Sequence, residues 1–334
     1  MARFVVRRLI LLVPILFGLS LLLFFWVRAL PGDPVASLLG ERATPGARER
    51  FARIYGLDRP LWQQYLAYVQ RAVRLDLGTS VRSNRPVLTE FWERFPATVE
   101  LTVAALLLAV VVGIPLGYFA AHRFGTWLDN VSVVASLIGV TIPVFFLAFL
   151  LKYVFAVRLG WLPAFGRQDP RLFADHPTGF FLLDSLITGD PTAFWDALKH
   201  LVLPAIALAS IPLAIIVRIT RASVLDVLNE DYVRTAEAKG LERGVIRRRH
   251  VLRNAMLPVS TTIGLQAGLL LSGAILTETV FALPGIGTYL RTAIDTRDYS
   301  AIQGVILIIA VIYVVVNLLV DISYGLLDPR VRVS

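Results

Sequence analysis

The sequence predicts an all-α integral membrane protein with six transmembrane helices and both termini on the cytosolic side. Three observations carry this. Of 334 residues, 56% are hydrophobic and only 17% charged, where a soluble domain is about a quarter charged. Mean hydropathy is +0.69. Several apolar runs reach the roughly 20 residues that a helix needs to cross about 30 Å of hydrocarbon, whereas barrel strands would appear as alternating segments of about ten residues.

The predicted spans are Leu9–Val27, Ala97–Ala121, Val131–Val154, Leu201–Ile219, Leu257–Val280 and Ala301–Leu319. The first follows Arg3, Arg7 and Arg8. Its apolar core exceeds that of a signal peptide, and "RALPGDP" lacks a small-x-small cleavage pattern, so it reads as an uncleaved anchor. The short run "GFFLLDSLITG" (Gly179–Gly189) carries Asp184 and stays outside the membrane. The organisation is an anchor helix (1–30), an extracytoplasmic helical segment (31–95), a membrane core (96–327) with a cytosolic loop at 222–256, and a cytosolic tail (328–334).

Orientation follows from basic residues in short loops. With the N-terminus inside, the first eight residues, His122–Asn130, the loop 222–256 and the tail "DPRVRVS" are cytosolic, and that loop dominates the count. The 282–300 loop, placed outside, has only Arg291 and Arg297. Pro31–Pro96 carries ten arginines outside, but a segment that long translocates largely regardless of charge.

Pro31–Pro96 is more than a linker. Thr44-Pro45 starts a helix that Gly56 stops, with Phe51, Ile54 and Tyr55 at helical spacing. Pro60 opens a second, with Leu61, Tyr65, Tyr68, Val69 and Val73 on a broad face. Two surface helices, or a docking platform for an external partner, both fit. Inside the spans, Pro14, Pro115, Pro143, Pro204 and Pro212 imply breaks or bends. Gly113/Gly117 and Gly264/Gly268 make small-xxx-small faces for close helix contact. The buried ionisable residues Glu100, Lys152, Arg218, Glu278 and Asp321 all lie near span ends, where pairing or snorkelling accounts for them. Glu278 precedes a tight Pro-Gly-x-Gly turn.

Several chemistries have no residues to support them. There is no phosphate-binding G-x-x-x-x-G-K-[ST] loop, no H-E-x-x-H and no G-x-S-x-G, and cysteine is absent. We expect no catalytic activity, no cofactor and no metal. The net charge of +9 comes without the aromatic-interleaved stripes of nucleic-acid binders, so no nucleic-acid partner is expected.

The densest charge lies in "DYVRTAEAKGLERGVIRRRHVLRNAMLPV", Asp231–Val259, with seven Lys/Arg and three Asp/Glu. Asn229 can cap a helix whose first turn holds Glu230 and Asp231. Tyr232, Ala236 and Gly240 recur every four residues, a narrow stripe that another protein's groove could grip. Arg247–Arg249 could hold anionic headgroups. A solvated loop serving as the positive-inside anchor fits the same residues.

"YVRTAEAKGL…RNAMLP" resembles the cytosolic coupling motif of permease subunits in binding-protein-dependent ABC importers. The family pattern is E-A-A, three residues, then Gly. Registered on Gly240, this chain reads Arg234-Thr235-Ala236, with Arg in the acidic place, and the gap to Leu257-Pro258 is long; both departures resemble the dipeptide/oligopeptide/nickel branch. "LPGDP" (30–34), "YGLDRPLWQQY" (55–65), "DLGTS" (76–80), "RFPATVEL" (94–101), "LGWLPAFGR" (159–167), "TETVFALPGIG" (277–287), "RDYSAIQG" (297–304) and "LDPRVR" (327–332) are similar to that branch, in order along the chain.

The resemblance implies a type I ABC importer permease fold, with the segment after the first helix as its extracytoplasmic insertion. It also implies a multi-pass cell-membrane subunit that pairs with a second, similar permease, two cytosolic ATPases and an extracytoplasmic peptide-binding protein. Tyr232, Arg234, Thr235, Ala236, Glu237, Gly240 and Leu241 would contact an ATPase. Arg234, Lys239 and Arg247–Arg249 could serve either the ATPase or membrane lipids. Path candidates are Thr141, Pro143, Phe145, Thr277 and Glu278. Nickel or another small solute in place of peptide, and a channel or scaffold in place of an importer, remain as alternatives.

Overall fold

The computed structural model describes residues 2–29 and 58–327, together with Thr44, Gly46, Glu49, Arg50, Arg53 and Gly56. The described residues are helical apart from loops and an isolated bridge between Thr79 and Pro86. In chain order the helices are α1 (Ala2–Ala29), α2 (Leu61–Val73), α3 (Val87–His122), α4 (Trp127–Thr141) and α5 (Val144–Leu151). Then follow α6 (Phe181–Thr188), α7 (Pro191–Leu228), α8 (Asp231–Ala238), α9 (Arg253–Val280), α10 (Ile286–Asp295) and α11 (Tyr299–Leu327). π-helical stretches at Lys152–Arg158 and Ile246–Leu252 extend α5 and lead into α9.

Val87–His122, Pro191–Leu228 and Tyr299–Leu318 are each long and apolar enough to cross a membrane. Two bent pairs satisfy the same condition jointly: Trp127–Thr141 with Val144–Arg158, and Arg243–Leu270 with Ala274–Val280. The apolar part of α1, Val13–Ala29, is shorter. Within the expected span Val131–Val154 the chain bends by 102° between α4 and α5. Pro143 has no N–H to continue α4 and forces Ile142 into extended backbone (φ −73°, ψ 123°). The 15 residues of α4 reach only about 22 Å, too short to cross alone.

The helices also outrun the apolar windows. α7 begins ten residues before Leu201 because Asp190 accepts from the Thr192 and Ala193 N–H groups while Pro191 occupies the first turn. An apolar window marks where hydrocarbon contacts a helix, not where hydrogen bonding starts.

The chain divides into two compact units, Thr98–Leu283 with Val316–Ser334, and Ala2–Ala97 with Pro284–Val315. In the first, α7 is the hub, packing against α4, α5, α6 and α9 around Leu203, Ala207, Leu208, Ala209 and Ile216. The predicted small-residue seam is real: a Cβ on Gly117 would lie 2.5 Å from the Val217 carbonyl oxygen, and one on Gly113 3.0 Å from the Ile216 side chain. Gly264 and Gly268 are both buried on α9.

In the second unit, Phe24, Val27, Val87, Phe91, Ile286, Leu290, Ile302 and Val305 are buried. Asp298 caps α11 through the Ala301 N–H and accepts from Ser80 Oγ at 2.6 Å and the Val81 N–H at 2.9 Å. A Cβ on Gly304 would lie 3.0 Å from that of Leu77. "DLGTS" and "RDYSAIQG" thus fold against each other. Pro60 does open α2, where Tyr65, Tyr68 and Val69 pack inward while Leu61 and Val73 stay exposed. Of the helix expected over 45–55, Gly46, Glu49, Arg50 and Arg53 are helical and the other positions lie outside the described residues; Gly56, with φ +65°, suits a stop.

Candidate functional site

The loop after α7 folds into a mounted helix. α7 ends at Leu228, and Asn229 closes it, donating from Nδ2 to the Leu225 carbonyl at 3.0 Å. Asn229 therefore does not cap α8, which corrects the sequence expectation. Its side chain is already used by the preceding helix, and Glu230 stands at the start of α8 without a side-chain cap.

Within α8, Val233 (2% exposed) and Ala236 (5%) are buried with Ala121, Val224, Ile246, Val251 and Ala255. Tyr232, Arg234, Thr235, Glu237, Lys239, Gly240 and Leu241 face outward. The predicted stripe Tyr232–Ala236–Gly240 is consequently split. Ala236 belongs to the anchoring face, because at 3.6 residues per turn it lies above Val233. Tyr232 Oη is held by Asn254 Nδ2 at 2.9 Å.

The end of α8 explains Gly240. The Gly240 N–H donates to the Glu237 carbonyl at 2.9 Å and the Leu241 N–H to the Ala236 carbonyl at 3.3 Å. This is the Schellman pairing, which places its penultimate donor in left-handed backbone. Gly240 has φ +72°, and a Cβ there would meet nothing within 4 Å. Backbone conformation, rather than crowding inside the chain, favours glycine here. Arg247, Arg248 and Arg249 are exposed beyond it.

A second cluster joins three of the sequence segments within the first unit. Glu278 is fully buried and accepts from Thr98 Oγ1 at 2.6 Å. Its own carbonyl accepts from the Leu283 N–H, closing the turn in which Ala282 takes φ +49°. Lys152 Nζ donates to the Val280 carbonyl at 2.7 Å, a cation at the C-terminal end of α9. The Gly166 N–H donates to the Phe281 carbonyl at 3.0 Å. Next to it, Arg167 donates to Glu100 at 2.6 Å and to the Gly179 carbonyl at 2.8 Å, with its guanidinium over the Phe181 ring. Burial pulls the Arg167 guanidinium below its usual value, with Glu100 opposing that shift.

Sequence reasoning anticipated pairing for Glu100, Lys152 and Glu278, and each has a partner here. Arg218 is exposed on α7, and the Asp321 side chain lies outside the described residues. Of the path candidates, Thr141, Pro143 and Phe145 sit at the exposed α4–α5 break. Thr277 and Glu278 are wholly buried, and the Thr277 hydroxyl has no hydrogen-bond partner. The structure does not gather the five into one site. Sequence reasoning missed Val233 and Arg167. Val233 was readable as the apolar residue three before Ala236, while the partner of Arg167 lies 67 residues away and only folding pairs them.

The arrangement resolves with the family comparison. Residues 113–333 match the family described as binding-protein-dependent transport system inner membrane component, and residues 1–102 match its N-terminal membrane component. The chain belongs to the permease subunits of binding-protein-dependent ABC importers. Among similar proteins, the dipeptide transport system permease protein DppB of Escherichia coli strain K12 is 47% identical over 336 residues, 99% of each chain. DppB of Alkalihalophilus pseudofirmus is 45% identical over 332 residues, covering 99% of this chain and all of that one. The glutathione transport system permease protein GsiC of Escherichia coli O6:H1 is 39% identical over 332 residues, 99% of each. This permease is thus an inner-membrane component, and the mounted α8 lies in the loop where the coupling motif was recognised.

Proposed function

We propose that this permease passes di- or oligopeptides, delivered by an extracytoplasmic binding protein, through a pore shared with a second, similar permease. The single observation that supports it most is the mounting of α8. One face is anchored by Val233 and Ala236, and the opposite face presents Tyr232, Arg234, Thr235, Glu237 and Leu241 to a partner. A helix held this way is a lever, since force on its outer face must move the helices packed behind it. We assign that outer face to a cytosolic ATPase subunit, with two such subunits hydrolysing ATP for the complex. The peptide substrate follows from relatives named for dipeptide and glutathione transport.

In this reading the chain crosses six times with both termini inside, counting each bent pair and α1 as one span. Residues 31–95 lie outside, and 222–256 and 328–334 inside. Nucleotide and binding protein shift an inward–outward equilibrium by their differential affinity for the two states. The break at Pro143, with Thr141 and Phe145 exposed beside it, is the proposed path surface. Glu278 instead holds the turn after α9, and Thr277 adjoins it.

Uptake of labelled dipeptide by the assembled complex tests this at Gly240. A non-glycine residue in left-handed backbone costs about 1–2 kcal/mol, which Asn tolerates better than most. Gly240→Leu should leave the permease inserted but weaken ATPase binding and reduce uptake severely, while Gly240→Asn retains most of it. Equal ATPase binding and uptake in Gly240→Leu would overturn the coupling role. Nickel uptake without dipeptide uptake by the unaltered complex would overturn the substrate.

A further inference from the structure

The second unit holds a polar cavity of about 430 Å³ that the transport reading does not use. Arg28, Arg59 and Arg71 line it, and none has a carboxylate partner among the described residues. Among the described residues, Arg28 donates to the Gln64 amide oxygen, at 2.8 and 3.2 Å, and to the Phe24 carbonyl. Arg53 also lines the cavity but pairs with Glu49 at 3.7 Å. Among the described residues of the lining the one acid is Asp76, which accepts from the Gly78 N–H. Cations therefore exceed anions around the space.

Two further groups in the lining have no hydrogen-bond partner among the described residues. Gln303 is 6% exposed and Tyr68 8%, yet neither the Gln303 amide nitrogen nor the Tyr68 hydroxyl makes a hydrogen bond. Burial, with Tyr65 nearby, pushes the Tyr68 phenol up to about 12, so it keeps its proton and remains a donor. Orphaned buried donors beside unpaired arginines call for an anion.

Its position favours one source. Arg28 is in the last turn of α1, and Ser300 and Gln303 are in the first turns of α11. The cavity thus sits where two apolar helices leave the hydrocarbon. Trp26 and Trp62 are 43% and 63% exposed on α1 and α2, the side chains that settle at the headgroup level.

We infer that this cavity binds the phosphodiester headgroup of an anionic phospholipid, with Gln303 and Tyr68 donating from the back and Arg28, Arg59 and Arg71 supplying the charge. The inference rests on the membrane placement proposed above.

The test uses the assembled, delipidated importer in detergent, offered phosphatidylglycerol or phosphatidylcholine of matched chains, with bound lipid counted by native mass spectrometry. Phosphatidylglycerol should be retained at least fivefold better. Arg71→Gln, an exposed change that leaves the fold alone, should cut that preference about fivefold. Gln303→Leu should cut it as well. Equal retention of the two lipids, or equal preference in Arg71→Gln, overturns the site. Full displacement by glycerol phosphate alone would mean a free-anion site and overturn the lipid assignment. So would Arg71→Gln weakening the binding protein with lipid retention unchanged, which marks a docking surface. Dipeptide uptake by the same preparation after reconstitution into sealed phosphatidylcholine and phosphatidylglycerol vesicles separates the two readings. Uptake without lipid preference sinks only this site, whereas lipid preference without uptake sinks the transport reading.

Discussion

Gly117→Leu is expected to eliminate the folded permease from detergent extracts, with no monodisperse peak on size-exclusion chromatography. Even the first added carbon would sit 2.5 Å from the Val217 carbonyl oxygen, 2.7 Å from Thr220 Cβ and 3.1 Å from the Arg221 nitrogen. Two of these three atoms are backbone, so relief requires α3 and α7 to separate. Overpacking of this kind typically costs about 1–3 kcal/mol for small additions and more where nothing can give. α7 is also the hub of its unit, so displacing it disturbs α4, α5, α6 and α9 together. Gly113→Ala is the control: its nearest neighbour is the Ile216 side chain at 3.0 Å, which can yield by a few tenths of an ångström. Gly113→Ala should melt close to the parent, and Gly117→Ala clearly below it. A Gly117→Leu protein melting like the parent would mean that the seam is not closed as described.

Val233→Asp is expected to abolish uptake while the permease still inserts. Val233 is 2% exposed between Val224, Ile246 and Val251, and an uncompensated charge in such a place costs about 3–5 kcal/mol. The cheapest relief is for the eight-residue α8 to lift off its anchor, which leaves the hub intact and removes the lever. Uptake should fall to background at an unchanged membrane level of permease. Glu237→Gln, on the exposed face of the same helix, should fold normally, and any loss of uptake there belongs to the partner contact. Wild-type uptake by Val233→Asp would show that α8 need not be anchored.

The membrane-protein class was legible in composition and apolar run length, because crossing hydrocarbon requires an uninterrupted apolar stretch. The break between α4 and α5 was half legible. Pro143 announced a break, but a 102° bend depends on what α4 and α5 each pack against, which no local pattern encodes. The residues of α8 stood out through a recognised motif, yet their facing did not. The stripe through Tyr232 and Gly240 looked continuous until the buried surfaces of α7 and α9 claimed Ala236. The assignment of Asn229 failed because one cap-competent side chain stood between two helices and could serve either end. Arg167 with Glu100, and Ser80 with Asp298, pair across 67 and 218 residues. Such pairings follow from topology, which one sequence does not display.

The central claim is that the exposed face of α8 is held by a nucleotide-hydrolysing subunit. The chain contains no cysteine, so a single introduced thiol is unique. Cysteine at Glu237 or Leu241, treated with a short bifunctional cross-linker in intact cells, should capture an ATPase subunit, and cysteine at buried Ala236 should capture none. Vigorous dipeptide uptake with no ATPase captured from either exposed position would contradict the account.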